Sequence, residues 1–158
     1  MRIFTLSLLI IISTHTFAEE SSTFKSKLLS HTLASKAVTA SVVECNKRGY
    51  KVSAAITGRQ GNLIAFLRHP LSGPHTIQVS QKKAFTASSL QAPTGKQLQK
   101  DRPDLNFAPG ILIIQGALPI NIAGFFYGGI AVAGADTQTD EDCAKKGLEV
   151  LAEVLEFD

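Results

Sequence analysis

Between Ser22 and Lys47, apolar residues return every three or four positions. Leu29, Leu33, Ala37 and Ala40 share one face of a helical projection, with Val38, Val42 and Cys45 beside it. That spacing predicts a helix over Ser22–Lys47, stopped by the basic turn Asn46-Lys47-Arg48 and Gly49. The period then shortens to two. In KVSAAIT (51–57), Val52, Ala54 and Ile56 alternate with Ser53, Ala55 and Thr57. The turn GRQG (58–61) and the run NLIAFLR (62–68) complete the pattern of a β-hairpin. Next comes HPLSGPH (69–75), in which His69 and His75 each adjoin a proline. The run TIQVSQKKAFTASSL (76–90) reads as a helix, ended by Pro93, and Thr94 is placed to cap a short turn, TGKQLQKD.

The second half reads differently. ILIIQG (111–116) is apolar and strand-like, while PINI and FFYGGIAVAGA flank Ala123-Gly124 as a second hairpin. Gly128, Gly129, Ala131, Ala133 and Gly134 leave the last strand almost bare of side chains. Glycine inside a strand marks a bulge or the close approach of another group. Thr139-Asp140-Glu141-Asp142 has the spacing of a capping box, with Asp in place of Glu. The helix beyond it carries Cys143, Gly147, Val150, Val154 and Phe157 as one stripe. Helix, hairpin, helices, strands and helix, in that order, predict an α+β domain with an antiparallel sheet and helices packed on it.

The N-terminus changes where that domain begins. In MRIFTLSLLIIISTHTFAEE, Arg2 precedes an apolar run, and Thr16-Phe17-Ala18 precedes two glutamates. This is the order of a secretory signal peptide, with an anchoring helix as the alternative, and cleavage is expected after Ala18. Residues 19–158 then form one domain, expected in the periplasm or outside the cell, with no later segment able to span a membrane. Lys and Arg number 16 against 13 Asp and Glu, and one of the basic residues is Arg2 of the leader. With so small an excess and no basic cluster interleaved with aromatics, nucleic acid is excluded as a partner class. The absence of tryptophan speaks against a stacking platform or a sugar cleft. Cys45 and Cys143 are the only cysteines. In an oxidising compartment they suit a disulfide, and as residues on apolar helix faces they equally suit buried free thiols.

Catalytic signatures are missing: no Gly-x-Ser-x-Gly, no Walker loop and no His-Glu-x-x-His occurs. The acids at 136–142 are explained by helix capping. His31 reads as a surface or boundary residue. His69 and His75 are the better ligand candidates, but six apart across prolines they match no regular metal spacing and would need outside ligands.

Several stretches resemble one family, in order and over about residues 24–157. They are AITGRQGNLIAFLR, SQKKAFTA, APTGKQL, QGALPINIAG and YGGIAVAGA. Together they are similar to the GlcG/HbpS-like haem-binding family. The resemblance implies a five-stranded antiparallel sheet flanked by helices, profilin- or PAS-like, and assembly into dimers or larger homo-oligomers. It implies a non-enzymatic small-ligand-binding protein, with haem as the first ligand and redox sensing as a role in some members. The chain departs from the family pattern at Gly58-Arg59-Gln60-Gly61, at Ile114-Gln115-Gly116, and in having histidines after Arg68. On this reading Phe85, Phe107, Gly128, Gly129 and the central helix form an apolar slot. His75 or His69 ligates iron, Arg68, Lys82 or Lys83 meets the propionates, and Thr94 is a further polar contact. Two other readings remain: an enzyme on a small metabolite such as a 2-hydroxy acid, and a structural oligomer with a vestigial pocket.

Overall fold

The structure is a computed structural model describing residues 22–23 and 26–157; the signal peptide expected over 1–18 lies outside the described residues. The elements run α1 (His31–Lys47), β1 (Ser53–Gly58), β2 (Leu63–Arg68), α2 (His75–Leu90), α3 (Lys96–Asp101), a 3-10 turn (Pro103–Phe107), β3 (Ala117–Ile122), β4 (Phe125–Ala133) and α4 (Thr137–Leu155). The strands form one antiparallel sheet in the order β2-β1-β4-β3. Strand periodicity sorts the side chains into two faces. Ala54, Ile56, Ile120, Ile130 and Val132 point into a core shared with α1 and α4. Ala55, Ala117 and Ala131 point the other way, onto Ala84 and Ala87 of α2. Cys45 and Cys143 form a disulfide between α1 and α4, with Cα atoms 5.6 Å apart and both residues fully buried.

Small residues on the second face let α2 lie against the sheet. A Cβ on Gly129 would stand 2.4 Å from the Ala84 carbonyl oxygen and 2.8 Å from the Ser88 nitrogen. At Gly128 it would meet the Thr57 carbonyl at 1.9 Å, and φ there is +145°. The close approach expected of the bare strand is therefore made by α2 at Gly129 and by the backbone of β1 at Gly128. The obstacles are backbone atoms, which cannot swing aside. Gly129→Ala is expected to destabilise the fold by about 1–3 kcal/mol or more, read as a lowered midpoint in urea.

Four expectations need correction. The sheet has four strands, not five. The run 111–114 follows α2 instead of a strand: the Leu112 N–H donates to Thr86 Oγ1 at 2.7 Å and the Ile111 N–H to the Ala108 carbonyl. Helix α1 starts at His31, where Ser30 Oγ accepts from the Leu33 N–H, so 26–30 are not helical. Helix α4 is capped by Asp136, whose carboxylate accepts from the Thr139 N–H at 3.0 Å, three residues before the expected box. Its buried stripe is Asp140, Cys143, Ala144, Gly147, Leu151 and Leu155, whereas Val154 and Phe157 are exposed.

The two sheet edges differ. On β3, the Val132 N–H donates to the Gly116 carbonyl, which turns the backbones of Ala117 and Pro119 outward. Thr94 takes both outward groups of Ala117: its Oγ1 accepts from the Ala117 N–H, and its own N–H donates to the Ala117 carbonyl, each at 3.0 Å. Pro119 has no N–H to offer. On β2, no described strand, helix or side chain takes up the outer edge.

Candidate functional site

The HPLSGPH loop builds its own frame. The Leu71 N–H donates to His69 Nδ1 at 3.1 Å and the Ser72 N–H to the His69 carbonyl at 2.9 Å. The Arg68 guanidinium donates to the Ser72 carbonyl, while its buried Nε has no partner among the described residues. Beneath the loop, Thr76 Oγ1 shares hydrogen bonds with Ser53 and Ser72 at 2.7 and 2.8 Å. These bonds fix the point where α2 begins. His75, its first residue, is exposed, and its imidazole packs beside Gly73.

Of the ten expected ligand residues, the structure groups only a few. Lys82 and Phe85, seven and ten residues along α2 from His75, line a hollow of about 250 Å³ with Thr57, Gly61, Leu63, Gln81 and Gly110. The Phe85 ring lies against Gly61, where an added Cβ would come within 2.6 Å of it. At ~1.5 Å per helical residue, His75 stands roughly 10 Å from Lys82 and 15 Å from Phe85 along the axis. The rest stand elsewhere. Phe107 is 90% exposed at the end of the 3-10 turn and lines no part of the hollow. Thr94 is buried against β3. Gly129 is covered by α2 and Gly128 by the backbone of β1, so neither glycine opens onto a slot.

Lys83 is the sharpest departure. It is fully buried, and its ammonium donates to Asp140 Oδ2 at 3.1 Å and to the Val132 carbonyl at 2.6 Å. The other Asp140 oxygen accepts from the Ala135 N–H at 3.0 Å. Burial pushes the Lys83 ammonium down and the Asp140 carboxyl up, and each shift is opposed by the partner's charge. A propionate on the surface cannot reach this group.

Larger clefts flank α3. One, of about 440 Å³, is lined by Thr94, Lys96, Asp101, Gln115 and Glu141 among others, and Gln115 Nε2 donates to Glu141 at 2.9 Å. The other, of about 320 Å³, lies over Ile111–Gln115. Among the described residues, no group of three or more His, Cys, Asp or Glu is placed to hold a metal ion, and no helix is long and apolar enough to cross a membrane.

The profile of the family described as "haem degrading protein HbpS-like" matches residues 29–149. The chain belongs to the HbpS-like family. This HbpS-like chain is 29% identical over 109 residues to Protein GlcG of Escherichia coli K12, covering 67% of itself and 81% of GlcG. It is similar in structure to a double mutant of Streptomyces reticuli HbpS, at 34% identity and a TM-score of 0.78, covering 89% of this chain and 99% of that one. A PduOC–haem complex, at 18% identity and a TM-score of 0.71 over 78% of this chain and 95% of that one, shares the fold.

What the sequence reading of this HbpS-like domain missed was the Lys83–Asp140 pair. The signal was present. Asp140 shares the stripe of Cys143, Ala144 and Gly147, and Lys83 shares that of Ser80, Ala84 and Ala87. Opposite charges on two buried stripes are the pattern of a buried ion pair.

Proposed function

We propose that this protein binds haem or a related tetrapyrrole on the outer face of α2. The observation that carries the reading is one helix face that starts at an exposed imidazole, His75, and leads to the Lys82–Phe85 hollow. Membership of the HbpS-like family and the haem bound by the structural neighbour PduOC support it. A haem site needs an iron ligand, apolar contact and cations for the carboxylates. His75 would ligate iron, Phe85 and Leu63 would meet the macrocycle, and Lys82 would meet a propionate. His69 is the weaker ligand, because its Nδ1 already accepts the Leu71 N–H. The hollow falls short of the roughly 300–1,000 Å³ of enclosed small-molecule sites. The ligand therefore lies across it as on a shelf.

Haemin titration of the purified protein tests this. We expect a Soret shift and a tenfold or greater weakening in His75→Ala, with His69→Ala close to the parent. A shift unchanged in the double variant would overturn the iron ligand, and no shift in the parent would overturn haem binding. Export belongs to the same reading and is supported by the leader pattern over 1–18 and by the disulfide. A mature N-terminus at Glu19 by mass spectrometry is the expected outcome.

The enzyme reading has a separate location. The cleft beside α3 brings Lys96 together with Asp101 and Glu141, charges of both signs around 440 Å³. Chemical-shift changes at Lys96 and Glu141 on adding a 2-hydroxy acid would favour it over haem.

A further inference from the structure

The stretch from Gly95 to Gly110 stands apart from the domain. It holds α3 and the 3-10 turn, and not one of its residues is buried. The two elements pack chiefly on each other. Their backbone hydrogen bonds also stay local: the Gln99 N–H donates to the Gly95 carbonyl, the Arg102 N–H to Leu98 and the Ala108 N–H to Leu105. Two threonines pin the ends to the domain. Just before the stretch Thr94 Oγ1 accepts from the Ala117 N–H, and just after it Thr86 Oγ1 accepts from the Leu112 N–H. Glycines with positive φ stand at both margins, Gly95 at +135° and Gly110 at +83°, and glycine rotates there at no steric cost. Fixed ends, exposed backbone bonds and few buried contacts are the makeup of a segment that opens locally at low free energy.

Beside it lies the cleft of about 320 Å³. Lys96, Gln99 and Asn106 come from the stretch, and Ile111–Gln115 with Thr137 come from the domain. Movement of one wall therefore reshapes the cleft. Its size falls in the range of small-molecule sites, roughly 300–1,000 Å³.

Charge decides what it takes. The charged residues bordering this cleft and its 440 Å³ neighbour are Lys96, Asp101 and Glu141. Both acids are engaged: Asp101 accepts from Gln97 Nε2 through both oxygens, and Glu141 accepts from Gln115 and pairs with Lys145. Lys96 makes no ion pair among the described residues. The unengaged charge is positive. On the 320 Å³ side it meets no acid, only amides, a hydroxyl and the apolar run Ile111–Ile114.

We propose that residues 95–110 are a hinged flap that closes on an aliphatic monocarboxylate, with Lys96 on the carboxylate and Ile111–Ile114 against the hydrocarbon. A ligand held between the two walls adds the contacts that the stretch lacks, and so holds it closed. The site is separate from the α2 shelf, and the proposal is one of binding without turnover.

Trypsin reads the flap in the intact, disulfide-bonded protein, because Lys96 and Lys100 are exposed within it. A cut at either lies between Cys45 and Cys143. The nicked chain therefore stays in one piece without reductant and separates with it. We expect these cuts to be among the first. Hexanoate at about ten times its dissociation constant should slow them about tenfold. Hexanamide, equal in length and uncharged, should not. Lys96→Gln, a change at an exposed position, should be cut at Lys100 at the parent's rate without ligand and lose most of the protection by hexanoate. Hexanoate has neither a 2-hydroxyl nor a macrocycle, so its failure would leave the haem and enzyme readings untouched. A stretch cut no faster than the rest of the chain would overturn the flap. No protection by hexanoate, equal protection by hexanamide, or protection unchanged in Lys96→Gln would overturn the carboxylate site.

Discussion

Removing the disulfide, by Cys45→Ala with Cys143→Ala, is expected to lower stability by about 4–5 kcal/mol. The bond joins positions 98 residues apart, and in the chain-entropy model a loop of that size is worth about 4.7 kcal/mol. Against a typical total of ~5–15 kcal/mol, this is a large share. The variant should show a urea midpoint well below the parent's. Both cysteines are fully buried, so a reductant should act only through unfolding. Incubation in dithiothreitol at low temperature should leave the native bond intact, and added urea should release it. A loss below about 1 kcal/mol would show that the crosslink does little to the unfolded chain.

Breaking the Lys83–Asp140 pair is the second large effect. Either Lys83→Met or Asp140→Leu leaves its partner buried without a counter-charge, which costs about 3–5 kcal/mol. The double variant Lys83→Met with Asp140→Leu should recover most of that, because an apolar pair carries no desolvation cost. The single variants also differ with pH. In Lys83→Met the Asp140 carboxyl loses the cation that opposed its upward shift. Its folded pKa then lies still further above the unfolded carboxylate value of ~4, so the folded state binds the proton more tightly. The variant should be most stable at acid pH and lose stability as pH rises through that folded pKa. Denaturation curves at a series of pH values check this. A Lys83→Met deficit that does not change with pH would refute the account.

Much of the frame was legible in the sequence because it rests on short-range patterns. Both hairpins announce themselves by alternation around glycine-bearing turns, and α2 by its length and the prolines around it. The bare stretch of β4 signalled a close neighbour, which the structure identifies as α2 at Gly129 and the backbone of β1 at Gly128. The extra strand at 111–116 failed for a physical reason. An apolar run laid beside a helix, with only Ile113 buried among its side chains, shows the same composition as one in a sheet. What separates them here is one hydroxyl, Thr86 Oγ1, taking the Leu112 N–H. The candidate site was less legible, because sequence order says little about depth. Lys82 and Lys83 are neighbours in the chain, yet one faces solvent beside Phe85 and the other is sealed inside on Asp140. Thr94, expected at a ligand, serves the edge of β3 instead.

That service at β3 bears on how far any assembly can grow. A sheet sticky at both margins adds chains without limit, and such growth ends in filaments. Here Thr94 and Pro119 close one margin, so an arriving strand finds no free amide at Ala117 or Pro119 to pair with.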